Sequence, residues 1–343
     1  MNSNETSKVL FLIPRLNNHT AGDISKFIIL ISNINCLPWI IVDSFLFLFI
    51  ISGNILTILA ITLNRKLRSI TCNYFVLSLA LSDLLVGLSL PYHIAFYIDN
   101  KLSTKRAACI LRFVIISLAC GGSIYNLVAI SLDRYIAVVY PLKYSLCKTK
   151  RLIYIITIMG WVYTINVATI PFYWNIFQED HPCELENVFS NHYTLAIIIP
   201  SFSIVWLSLL LSYCKIYKEA RMHVDRLRKC GFHVEKAYSK SVQEILLVLG
   251  CFTIFWLPYL IVITIKTIGW YKDSTHIIYK ITFSLALANS GMNPMIYAWK
   301  NKNFRKAFMK LIRFQSPNTN FNFSVEKYLR NQQILKVHTI SND

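Results

Sequence analysis

Charge is scarce in this chain: Asp, Glu, Lys and Arg make up 15% of 343 residues, where soluble domains carry about 25%. With 55% of residues hydrophobic and a mean hydropathy of +0.47, a soluble globule is excluded and a bilayer is the solvent that fits. Catalytic signatures are missing too. No His/Glu zinc spacing, Gly-x-Ser-x-Gly elbow or phosphate loop occurs, which argues against an enzyme. Matching halves in helix length or loop charge are absent, as are paired Gly/Pro-broken helices, which argues against a transporter. A cleavable signal peptide is not evident, since Val9–Ile13 is short and Phe27–Ile31 runs into polar residues. The first membrane helix is therefore expected to insert itself.

What the chain does have is long apolar runs. A membrane helix needs about 20 such residues, because the hydrocarbon core is about 30 Å thick and each residue rises about 1.5 Å. Seven runs qualify: Ile40–Leu63, Asn73–Ile98, Cys109–Tyr140, Arg151–Pro171, His192–Tyr217, Ser241–Ile265 and Thr275–Trp299. In lipid each must satisfy its own backbone, so each is a helix, and the fold class is an all-α seven-transmembrane helix bundle. The expected organisation is an outer tail over 1–39, the bundle over 40–300, a short amphipathic eighth helix over 301–314 and a cytoplasmic tail over 315–343. That eighth helix, Asn303–Ile312 at its core, must hold the membrane by its own apolar face, because no cysteine follows Cys251 to carry a lipid anchor.

Flanking charge gives the orientation. The connections after the first, third and fifth runs, with the start of the tail, hold 21 of the 35 basic residues, against 8 on the opposite side. Basic residues collect on the cytoplasmic side, so the N-terminus is expected outside. The net charge of +18 thus reads as a face meeting anionic lipid and acidic partners rather than nucleic acid. Asn4 and Asn18 stand in glycosylation sequons on the outer tail, whereas the sequon at Asn322 falls inside.

Ionisable residues within lipid are costly and mark function. Asp43, Asp83, Asp133 and Arg134 are the candidates here. Asp43 lies near the outer end of the first run, where it could reach water and be merely interfacial. Asp83 lies mid-helix and must have partners.

Around these residues six patterns fall in order on successive runs. They are Gly53-Asn54; Asn73-Tyr74-Phe75 with Leu79-Ala80-x-x-Asp83; Ser131-Leu132-Asp133-Arg134-Tyr135 with Pro141-Leu142; Trp161; Phe252-x-x-Phe255-Trp256-Leu257-Pro258; and Asn289-Ser290-x-x-Asn293-Pro294-x-x-Tyr297. Together they resemble the signatures of class A, rhodopsin-like G-protein-coupled receptors, over roughly Ile40 to Phe314.

The resemblance implies roles residue by residue. Asp83, Asn54, Ser123, Asn289 and Asn293 match a polar cluster that holds a sodium ion, the alternative being a sodium-free hydrogen-bond network. Arg134, paired with Asp133 at rest and flanked by Tyr135, would swing to the G protein on activation. The acid that holds this arginine from helix six in many relatives is replaced by Tyr238, with Glu235 almost a turn away. Ile124, Phe252 and Trp256 match a packing switch above the hinge at Pro258, with a plain aromatic core as the alternative. Pro294, Tyr297 and Tyr213 belong to the same machinery. Val205 stands where a helix-five proline is usual, and Pro200 lies five residues too early, so helix five is expected to bend elsewhere. Cys109 and Cys183 match the family's disulfide, and both face the oxidising side. The implied partners are a heterotrimeric G protein, arrestin, a receptor kinase, membrane lipid and an unidentified extracellular ligand. The alternative functions are a non-signalling scavenger or trafficking receptor and, less well matched, a transporter.

Counting from the motifs puts His93, Tyr97, Arg112, Ile116, Cys120, Ile263, Lys266, Tyr279, Phe283 and Leu287 along a ligand pocket. The chain looks loosely nearest the adenosine and amine receptor branch yet lacks the ligand-binding residues of both. An amine receptor carries an aspartate where Ile116 stands, so a protonated amine there loses a charge-assisted bond of about 1.5–3 kcal/mol. Opsins carry a lysine where Leu287 stands. Arg112, Lys266 and Lys280 favour an anionic ligand instead, either a small molecule or a short peptide. Against this, Glu179, Asp180, Glu184 and Glu186 in the second outer loop could attract a cationic peptide.

Overall fold

The computed structural model describes residues 18–140, 142, 144, 149–179, 181–229, 235–270 and 276–318. Seven long helices form the bundle: α1 Asn18–Leu63, α2 Asn73–Ile98, α3 Arg106–Val139, α4 Lys150–Ala168, α5 Ile199–Lys229, α6 Glu235–Ile268 and α7 His276–Lys300. A short α8, Lys302–Ile312, follows. Six spans are apolar and long enough to cross a membrane. The seventh helix, α7, is more polar because Lys280, Asn289, Ser290 and Asn293 interrupt it. Its faces are covered by α1 and α6.

α3 occupies the middle, packing on α2, α4 and α5, while α1 pairs with α2 and α7, and α6 with α5 and α7. α4 is the outlying helix: Ile155, Ile158, Met159 and Val162 all face outward, toward lipid rather than water. Close approach of α3 and α4 depends on Gly160, where any Cβ would overlap the Tyr125 ring. Tyr125 in turn donates its hydroxyl to the Ile156 carbonyl at 3.0 Å.

Two helix ends differ from expectation. α1 begins at Asn18 instead of Ile40 and runs through Pro38, a residue that a membrane helix tolerates. α5 continues to Lys229 rather than stopping at Tyr217, since hydropathy locates the bilayer and no Gly or Pro ends the helix in water. In helix five a π-turn, Thr194–Ile198, sits just ahead of Pro200, whose missing N–H removes one helical hydrogen bond.

Capping fixes the cytoplasmic corners. Asn64 accepts from the Lys66 and Leu67 amides at the start of the Arg65–Ser69 turn, and Asn301 accepts from Asn303 and Phe304 to start α8. Phe304, Ala307 and Phe308 of α8 then bury against Ala60, Ile61, Leu67 and Val76. The residues at 1–17, including Asn4, and at 319–343, including Asn322, lie outside the described set, as do Pro141 and the side chains of Asn18, Glu235 and Tyr238.

Candidate functional site: a polar column from the outer loops to the cytoplasm

At mid-bundle Asp83 is fully buried. Ser123 donates to its Oδ1 and Asn293 to its Oδ2, each at 2.7 Å. Asn54, expected as a further member, spends its amide on the Ile50 and Ser290 carbonyls at 2.9 and 3.0 Å, tying α1 to α7. Ser290 reaches the Asp83 carboxylate, a neighbour the motif reading did not single out, although its place beside Asn289 was visible. Asn289 is buried on the same helix. The set is one carboxylate among neutral hydroxyls and amides, and among the described residues no Lys or Arg pairs with Asp83. That chemistry suits a monovalent cation.

Above it lies the aromatic layer. Phe252 and Trp256 stand 6.1 Å apart between ring centroids, and Phe202 lies 5.3 Å from Trp256. Ile124 and Val205 pack on the same cluster. The Trp256 Nε1 is buried with no partner among the described residues. Trp206 donates to the Thr253 hydroxyl at 3.2 Å, linking α5 to α6 beside the hinge at Pro258. That link joins helices distant in sequence and had no motif to announce it.

At the end of α3 opposite Cys109, the Arg134 Nε lies 3.7 Å from an Asp133 oxygen. Two partners that sequence reading missed frame this pair. Tyr144 donates its hydroxyl to both Asp133 oxygens at 3.1 Å, and the Arg134 guanidinium contacts the Cys72 thiol at the start of α2. Burial and the Asp133 carboxylate hold the Tyr144 phenol above its usual range, so it stays a donor. Lys215 lies over the Tyr135 ring at 5.8 Å, Tyr213 stacks near Tyr217, and Tyr297, one turn past Pro294, packs on Phe304 of α8.

On the outer side a disulfide joins Cys109 to Cys183, pinning the second outer loop over the bundle. Arg112 points inward as expected: one Nη donates to the Cys183 carbonyl at 3.3 Å, and the guanidinium lies 4.7 Å over the Phe96 ring. Lys266, expected to be open to an anion, is instead paired with Glu186 at 3.0 Å and Glu184 at 3.9 Å. It lines a small recess with Leu185, Thr194, Ile263 and Tyr279. Lys280 lies over the Tyr97 and Trp39 rings at 5.0 and 5.6 Å. His93, Tyr97, Tyr279 and Phe283 form one aromatic wall, with centroids 5.2 to 6.2 Å apart along it. Ile116 and Cys120 lie deeper, in the core shared with Trp256, as does the buried Leu287. Asp43 does not sit at the interface. It is 1% exposed and accepts or shares a hydrogen bond with the His93 Nδ1 at 2.9 Å. Its neighbours come from α2 and α7, which its position in the sequence does not disclose.

A seven-helix bundle with a buried polar axis, a disulfide-pinned loop across one end and an arginine at the other defines a membrane receptor. Residues 53–297 match the model of the 7 transmembrane receptor (rhodopsin family), and the chain belongs to that family. Over 294 residues it is 30% identical to the histamine H2 receptor of Homo sapiens, covering 82% of this chain and 80% of that protein. It is 31% identical to the histamine H2 receptor of Canis lupus familiaris, with the same coverage of both chains. It is 29% identical to the alpha-1A adrenergic receptor of Oryzias latipes, covering 77% of this chain and 64% of that protein. The protein is a multi-pass membrane receptor that signals through G proteins, and not an enzyme.

Proposed function

We propose that the receptor lies in the plasma membrane with its N-terminus outside, reads an anion-bearing ligand in the outer chamber, and presents Arg134 to a heterotrimeric G protein. Asp83, Ser123, Asn289 and Asn293 would hold a sodium ion, which supplies a positive charge to the buried carboxylate; Asn54 supports the site by fixing α1 to α7. Asn293, whose amide now donates to Asp83, would have to present its carbonyl to that ion. Ile124, Phe252, Trp256 and Pro258 transmit the change in packing, and Tyr135, Tyr213, Pro294 and Tyr297 complete the inner end. Arrestin and a receptor kinase are the further cytoplasmic partners, and Asn4 and Asn18 carry the glycans.

The observation that carries the ligand reading is the state of Arg112 and Lys280. Among the described residues neither is ion-paired: they face aromatic rings and, for Arg112, one carbonyl. Two largely desolvated cations with no ion-pair partner at contact distance favour a carboxylate or similar group. His93, Tyr97, Tyr279 and Phe283 would line the same chamber, with Ile116 and Cys120 as its floor. The histamine and adrenergic relatives point to amines, but Ile116 gives an ammonium no counter-ion at the usual place. The test is a panel of carboxylate-bearing compounds on cells expressing the receptor, read as G-protein activation. Arg112→Ala should lower potency at least tenfold, and an agonist whose potency survives that change removes the anionic reading.

A further inference from the structure

Asp43 takes no part in the scheme above. Its Oδ2 is held by His93, while its Oδ1 is buried and has no hydrogen-bond partner among the described residues. A carboxylate oxygen withdrawn from water without a donor is expensive to keep. The cations that would satisfy it stand close by: Arg112 and Lys280 both lie within electrostatic reach of Asp43. Neither forms an ion pair with it. Lys280 is engaged by the Trp39 and Tyr97 rings, and Arg112 by Phe96 and the Cys183 carbonyl. A negative pole on α1 thus lies within electrostatic reach of two positive poles on α3 and α7, each of which is engaged by aromatic rings instead. His93 connects them, because its ring meets Asp43 on one side and packs on Tyr97 and Phe283 on the other.

From this arrangement we infer that the ligand is a small zwitterion whose ammonium binds the Asp43 carboxylate while its carboxylate binds Arg112 and Lys280. The inference rests on the anionic reading and extends it by a second pole. A molecule carrying both charges a short chain apart supplies the N–H donor that Oδ1 lacks and the anion that the two cations lack, without adding net charge to the chamber. The counter-ion for an amine has then moved from α3, where Ile116 stands, to α1.

The decisive experiment measures binding to purified receptor in lipid nanodiscs as a shift in thermal stability, so it does not depend on which G protein is present. The probes are a series of free amino acids, ω-amino acids and dipeptides, each compared with its N-acetyl and its methyl ester derivative. The expected result is that at least one zwitterion stabilises wild type, and that N-acetylation and esterification each weaken its apparent affinity tenfold or more. Asp43→Asn should abolish the preference for the zwitterion over its N-acetyl form while leaving the N-acetyl form bound as before, which also reports that the variant is folded. Where that variant fails to reach the membrane, the wild-type preference and Asp43→Glu, which keeps the charge, decide. The inference is overturned if no zwitterion binds, if N-acetyl forms bind as well as the zwitterions, or if Asp43→Asn weakens both forms alike. The anionic reading fails separately, when carboxylates bind Arg112→Ala and Lys280→Ala as tightly as wild type.

Discussion

Arg134 and its immediate partners are the place to test the proposed control of basal activity. Arg134→Ala should abolish nucleotide exchange on the G protein while surface expression stays near wild type; exchange at the wild-type rate would mean that another residue contacts the partner. Tyr144 is more informative about rest than about activation. Its two bonds to Asp133 disappear in Tyr144→Phe without loss of the ring, and a hydrogen bond to a charged group is worth about 1.5–3 kcal/mol. Basal exchange should therefore rise about tenfold or more, measured without ligand and normalised to receptor number. At mid-bundle, Asp83→Asn removes the only carboxylate of its cluster, so ligand affinity that falls with sodium in wild type should become flat. A wild type already indifferent to sodium would leave Ser123, Asn293 and Asp83 as a hydrogen-bond network alone.

Helices depend on their contacts with one another, and two of those contacts give clean tests. Replacing Gly160 by leucine drives a side chain into the Tyr125 ring and should push α4 from α3, with surface expression falling several-fold. Alanine at Gly250, where an added Cβ meets nothing within 4 Å, should be silent in the same assay. Cys109→Ser and Cys183→Ser should each lower expression, and the double variant should be no worse than either, because the two sulfurs form one bond. At this scale much was legible. Seven apolar runs gave the number and order of helices, since lipid leaves a single chain no other way to satisfy its backbone. The ends were not legible. α1 extends back to Asn18, well before the apolar run from Ile40, and the π-turn before Pro200 leaves no mark on hydropathy.

Across the whole molecule, the motif residues could be named from sequence, but not which of them meet. Asp43 and His93 are 50 residues apart, and Arg134 and Cys72 are 62 apart; whether such pairs touch depends on how each helix is rotated about its axis. That rotation is decided by packing of the entire bundle. The same holds for the second outer loop, whose acids read as a field for a distant cation and turn out to hold Lys266 of α6. This strap has a consequence in time. Lys266 and Glu186 are partly exposed, at 23% and 45%, so their pairing is worth at most about 1 kcal/mol, equivalent to roughly a fivefold change in a rate. A ligand leaving past the strap must first part these charges, so its dwell time should shorten up to fivefold in Glu186→Gln. Raising the salt concentration should shorten it in wild type but much less in that variant, as dissociation of a labelled ligand would record.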